Sequence, residues 1–277
     1  MYETTKTIYH THLELQRAMQ EDFNPLPYST LNEKFGVADE EAVPAGRYPA
    51  MEYIAIGRGG HRGRIASDGA TLTDILQHDV TDAALFEHLP FVVRLISEDL
   101  TPAERAKYGM RTLVERNGKQ YFAYYLKRVN LSQTYPELKE ITVLDGSVSD
   151  REYTPTPSQL TPNPLPLSNT QANLASGKHI SVTSTLSVSL SATDIQEIMD
   201  AVLVLYDDVA YATISEIATV TAHRTPINTT LGGVNVTYDE AIAAQVANFI
   251  PANISLQFTT NGIDSLFSLG HTSPYLR

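Results

Sequence analysis

The chain has 277 residues, 42% of them hydrophobic, so it is long enough for one large or two ordinary domains and can build a core. Its net charge of -12 weighs against a protein that coats nucleic acid, because phosphates would repel it. The absence of cysteine excludes disulfides, thiolate catalysis and cysteine-type zinc sites.

Residues 5–20 read as a helix, with Ile8, His12, Leu15 and Met19 on one stripe. Prolines 25, 27, 44 and 49 make 22–50 irregular. Tyr53–Ile56 is a short strand, followed by a glycine-rich loop from Gly57 to Gly63 and a second strand at Arg64–Ala66. Residues 72–88 are expected to form one or two short helices, and Phe91–Ile96 a buried strand. Thr101-Pro102-Ala103-Glu104 is a capping box that opens a helix, with Gly109 as its expected stop. Asn117-Gly118, between two apolar runs, predicts a tight hairpin.

In the second half, His179–Leu190 alternates as a half-buried strand. Thr193-Asp194-Ile195-Gln196 then predicts a helix start, with Ile195, Ile198, Met199, Val202 and Leu205 inward. Ala212–Thr221 follows as a strand. The same order recurs: Gly233–Thr237 as strand, Thr237–Glu240 as capping box, Ile242, Val246, Phe249 and Ile250 as helix stripe, and Ile254–Phe258 as the last strand. The fold class expected is therefore α+β, with antiparallel or mixed sheets, a few short helices and a C-terminal half built as a repeated β-α-β sandwich.

Residues 151–277 hold only 4 of the 20 Lys and Arg and 10 of the 32 Asp and Glu. A low-charge, Thr- and Ser-rich surface suits subunit contact, since desolvating charge is costly, but β-rich domains also use many threonines. Five prolines between Tyr153 and Pro166 forbid helix and predict an extended connector, either a hinge or an arm lying on a neighbour. The expected organisation is 1–152, an N-terminal α+β region with the basic loop and hairpin; 153–168, a linker or arm; and 169–277, a C-terminal α+β domain.

No cofactor or metal motif is present. From Gly57, the third position is Gly59 but the sixth is Arg62, so the dinucleotide fingerprint fails, and no phosphate-loop Gly-Lys-Ser/Thr occurs. His10 and His12 are two apart and point to different sides of a helix. No Gly-x-Ser-x-Gly elbow or separated carboxylate pair supports an enzyme. The aromatic run Tyr121–Tyr125 could stack bases but fits a core strand better. The basic loop residues Arg58, His61, Arg62 and Arg64 read either as a solvated hairpin tip or as a contact with an acidic neighbour or with DNA in a channel. With Pro155, Pro157, Pro162 and Pro164 they are the candidate subunit contacts. No apolar run approaches the ~18 residues of a membrane span, and Met1-Tyr2-Glu3-Thr4 does not open a signal peptide, so no membrane partner and assembly in the cytoplasm are expected.

The stretch Phe91–Val129, with Leu100–Arg111 leading into Gly118–Arg128, resembles uncharacterised structural proteins of tailed bacteriophages with contractile tails. The resemblance implies a non-enzymatic virion protein that forms an oligomeric ring at the neck or collar. Its neighbours would be portal or connector proteins and tail tube or sheath-end proteins, with passive contact to DNA in the channel. A baseplate or tail-end position, or a host- or glycan-binding module, is the alternative.

Overall fold

The structure is a computed structural model, and it describes every residue except 1–3, 66, 68–70, 132–133, 145–146, 163–176, 232–233, 260 and 275–277. In chain order the first elements are β1 (Thr5–Lys6), α1 (Ile8–Met19), α2 (Leu31–Phe35), β2 (Ala50–Gly57), β3 (His61–Ile65), β4 (Thr71–Ile75), β5 (His88–Leu89) and β6 (Val92–Leu95). Then come α3 (Pro102–Arg105), β7 (Tyr108–Arg116), β8 (Lys119–Arg128), β9 (Glu137–Leu144), β10 (Ser147–Glu152) and β11 (Gly177–Leu190). The chain continues with α4 (Ala192–Tyr206), β12 (Thr213–Leu231), β13 (Val234–Ser255) and β14 (Ile263–Pro274).

The fold is α+β, and every strand pairing given by register is antiparallel. The chain forms two compact units: Met1–Val129 with Leu190–Ile263, and Asn130–Ser189 with Asp264–Arg277. The two units thus alternate along the chain, each built from two segments, where a linear order of domains was expected. The described part of the proline-rich stretch, residues 153–162, falls within the second unit.

The larger unit holds an eight-stranded sheet ordered β1-β13-β12-β2-β8-β6, with β5 beside β2 and β7 beside β8. The β3–β4 hairpin is a separate two-stranded ribbon. Tyr53, Ile56, Phe91, Tyr124, Leu126 and Phe249 are fully buried. The smaller unit carries a four-stranded sheet ordered β10-β9-β11-β14. There Glu140 faces Lys178 and Arg151, each at 2.8 Å, and those two hydrogen bonds hold its carboxyl below the usual carboxylate range.

Several local readings hold. Thr101 and Glu104 cap α3 reciprocally. Asn117 (φ 51°) and Gly118 (φ 70°) form the two-residue turn between Arg116 and Lys119. Helix α4 forms as expected, but Ser191, not Thr193, caps it, through Asp194. Its inward face is Ile195, Ile198, Ala201 and Val202.

Others are corrected. The second β-α-β unit is absent: residues 237–250, read as a helix, lie in β13, and the C-terminal half is no repeated sandwich. The register of β13 against β12 shifts three times, and in each shift β13 contributes the extra residue. A bulge advances the side-chain phase by one residue, turning strict alternation into spacings of three and four. Because Ala241–Ala247 is buried on both faces, no polar alternation reveals the strand; its one polar residue, Gln245, is itself buried.

Residues 72–88 contain no helix; β4 takes 71–75 and turns follow. In α1 the inward residues are Leu13 and Gln16, while Ile8, Leu15 and Met19 are exposed. The last strand stops at Ser255, before a 3-10 turn at Leu256–Phe258, and β14 was not foreseen.

Gly109 does not end α3. It lies in β7, where an added Cβ would stand 2.6 Å from the Tyr53 ring and 2.9 Å from Ala241 Cβ. Gly109→Ala is therefore expected to lower stability by roughly 1–3 kcal/mol, the usual cost of overpacking a core. Urea denaturation would read this as a lower midpoint at an unchanged slope.

Candidate functional site

The end of β2 and the start of β3 form the glycine-rich segment, and β12 runs beside it with Glu216 opposite Gly57. Glu216 is buried, yet its carboxylate is fully engaged. Oε1 accepts from the backbone N–H of Gly59 at 2.9 Å and of Glu87 at 3.1 Å. Oε2 accepts from the N–H of Phe86 at 3.0 Å and lies 2.8 Å from His78 Nε2. The other ring nitrogen of His78 meets Asp82 Oδ2 at 2.9 Å. The imidazole is stacked between Phe86 and Phe249, with centroids 3.9 and 3.8 Å away.

A carboxylate, an imidazole and a second carboxylate in line suggest acid–base chemistry at first sight. The geometry argues for a latch. Both ring nitrogens already face carboxylate oxygens, so neither is left for a substrate. The adjacent hydroxyl, Ser215 Oγ, accepts from the Gly60 N–H at 2.8 Å. The glycines allow this approach: a Cβ at Gly57 would fall 2.5 Å from Glu216 Oε1, and one at Gly60 would fall 2.5 Å from the Ser215 carbonyl oxygen. The glycine-rich stretch read as a flexible loop is thus clamped at its base by a buried charge.

The candidate contact residues are therefore distributed unequally. Arg58 turns inward, 2.6 Å from Glu87 and with its guanidinium over the rings of Tyr206 and Tyr211, at 4.3 and 4.6 Å. His61 is half-buried, and burial lowers its pKa, against the nearby Glu216 carboxylate. Arg62 and Arg64 are exposed on the β3–β4 hairpin, where Arg64 pairs with Asp74 at 2.7 Å. Pro155, Pro157 and Pro162 are exposed, and Pro157 opens a 3-10 turn that interrupts the expected extended connector. Pro164 lies outside the described residues. The four basic residues do not converge on one surface.

A second buried acid was not foreseen. Glu240 on β13 has one carboxyl oxygen with no hydrogen-bond partner. Burial pushes its pKa from an ordinary 4.5 to about 7, against the Arg111 backbone N–H and the Arg111 and Arg105 guanidiniums. Arg105, itself buried, has its guanidinium carbon 3.6 Å from the centre of the Tyr238 ring. A raised acid pKa means that unfolding releases the proton between pH 4.5 and 7, so stability falls as pH rises through that window. Glu240→Gln is expected to match the parent at pH 4 and to exceed it at pH 8 by an amount on the order of 3 kcal/mol. Thermal melts at the two pH values would show the difference.

A groove of about 610 Å³ lies in the smaller unit, lined by Tyr135, Pro136, Leu138, Lys139, Tyr153 and Pro155. Among the described residues no group of three or more His, Asp or Glu could hold a metal ion. Nor is any helix among them long and apolar enough to cross a membrane.

Over its whole length, residues 1–277, the chain matches the model of a family of unknown function, DUF7208, and it belongs to that family. No curated protein and no solved structure matched in two further searches.

Proposed function

We propose that this protein is a non-enzymatic structural subunit that works as an oligomer, in the virion of a tailed bacteriophage. The observation that carries the assembly reading is the outer face of α1. Ile8, Leu15 and Met19 share that face at 43, 56 and 65% exposure, while Leu13 and Gln16 are turned inward. An apolar stripe left uncovered on a capped helix is what a subunit presents to a neighbour. The engaged state of Glu216 and His78 supports the non-enzymatic part, because that cluster serves the fold. The place in the particle, a ring at the head–tail junction beside portal or connector and tail tube or sheath-end proteins, rests on the resemblance of residues 91–129.

Light scattering on the purified protein across a concentration range tests this. A ring-sized species, or a monomer that joins a ring when phage neck extract is added, supports it. A strict monomer under both conditions overturns it.

A second reading, a glycan-binding module, draws on the groove where the exposed Tyr135 stands beside the half-buried Tyr153, since exposed rings stack on sugar faces. Binding on a glycan array that Tyr135→Ala abolishes would favour it over assembly.

A further inference from the structure

The pairing of β2 with β12 ends at Ala222, yet β12 and β13 continue to pair with each other as far as Leu231 and Val234. Beyond the sheet the two strands form a ribbon, and among the described residues no other strand pairs with either outer edge of it. Isolated two-stranded ribbons are marginal in water, and exposed edges invite pairing unless charges block them. Here no charge blocks them: from Thr225 to Tyr238 there is no Asp, Glu, Lys or Arg, and Pro226 alone lacks a backbone donor.

The other terminal strands differ in charge. Strand β10 carries Asp150, Arg151 and Glu152 in six residues, β7 carries Arg111, Glu115 and Arg116, and β6 carries Arg94. Strand β14, the other end of the four-stranded sheet, carries only Asp264 in its twelve residues. Uncharged edges can pair without desolvating charge, so the ribbon and β14 match each other and mismatch β6, β7 and β10.

We infer that the β12–β13 ribbon is an assembly arm that adds to the β14 edge of a second copy of this chain. Two different surfaces then meet, a head-to-tail contact that closes into a ring when the rotation allows. Backbone hydrogen bonds supply the attachment. The inference rests on the assembly reading and names the contact.

The absence of cysteine makes the test direct. Asn228 on the arm and Leu266 on β14 are both exposed. Asn228→Cys and Leu266→Cys are prepared separately, mixed and oxidised, so that no link can form within one chain. A disulfide-linked dimer in the mixture alone is the expected result, because a disulfide needs Cα atoms within about 7 Å. A link within Asn228→Cys alone would mean arm-to-arm pairing and would overturn the β14 assignment.

A variant with Pro226–Thr237 replaced by Asn-Gly is measured beside it by light scattering, with its melting temperature as a check on folding. Loss of the oligomer at an unchanged melting temperature supports the arm. If the parent is oligomeric, and it stays so without the arm or forms no cross-link in the mixture, the arm is overturned while the assembly reading stands. A parent that is monomeric throughout overturns both.

Discussion

Glu216→Ala is expected to lower stability by about 3–5 kcal/mol, the range for breaking a buried, fully paired charge. The substitution leaves the N–H groups of Gly59, Phe86 and Glu87 without an acceptor and His78 Nε2 facing a void. Each orphaned buried donor costs on the order of 1–3 kcal/mol, though a void of this size admits water and recovers part of the loss. The change reaches the β3–β4 hairpin as well, since Gly59 and Gly60 are its root. Amide exchange should therefore quicken at residues 59–65 and 71–76 more than in β8, which lies elsewhere in the sheet. Chemical denaturation gives the stability loss, and a loss below about 1 kcal/mol would sink the latch reading.

Phe249→Ala is the second large effect, at about 3–5 kcal/mol for a buried phenylalanine. Phe249 is 2% exposed, sits between Thr5 of β1 and Ala218 of β12 in register, and covers one face of His78. Phe249→Leu keeps much of the volume and should cost under about 1.5 kcal/mol. Because Phe249 and Glu216 both act through His78, the double substitution should fall short of the sum of the singles by roughly 0.5–3 kcal/mol. Strict additivity would mean that the stacked imidazole transmits nothing between them.

Local chemistry was legible where neighbours in sequence settle the structure. Asn117-Gly118 forms its turn and Thr101–Glu104 its cap because the partners lie within three residues. The helix assigned to 237–250 failed because bulges in β13 break the strand's alternation into helical spacings, and burial on both faces leaves no polar alternation to mark a strand. Gly109 was read as a helix stop because its true reason, the Tyr53 ring, lies 56 positions away. The latch did leave a trace: Glu216 is the lone charge in the apolar and Thr-rich run Thr213–Ala222. A buried acid must have donors, and the glycines at 57–60 were the segment able to bring backbone N–H groups that close. Arg58 shows the opposite limit. Counting it with Arg62 and Arg64 treated adjacency as a shared surface, whereas Glu87, Tyr206 and Tyr211 draw it away.

The alternation of the two units along the chain sets a timetable for synthesis. Gly59 and Glu216 are 157 positions apart, and β2 has no neighbour on its β12 side until that later stretch is made. At about 5–20 residues per second, roughly 8–30 s pass between the emergence of the two partners. Through that interval a nascent chain holds the apolar edge Tyr53–Ile56 open, a target for chaperones and for the same edge on the next chain along the messenger. Yield in a host should therefore respond to translation speed and chaperone supply more than to the stability of the finished protein.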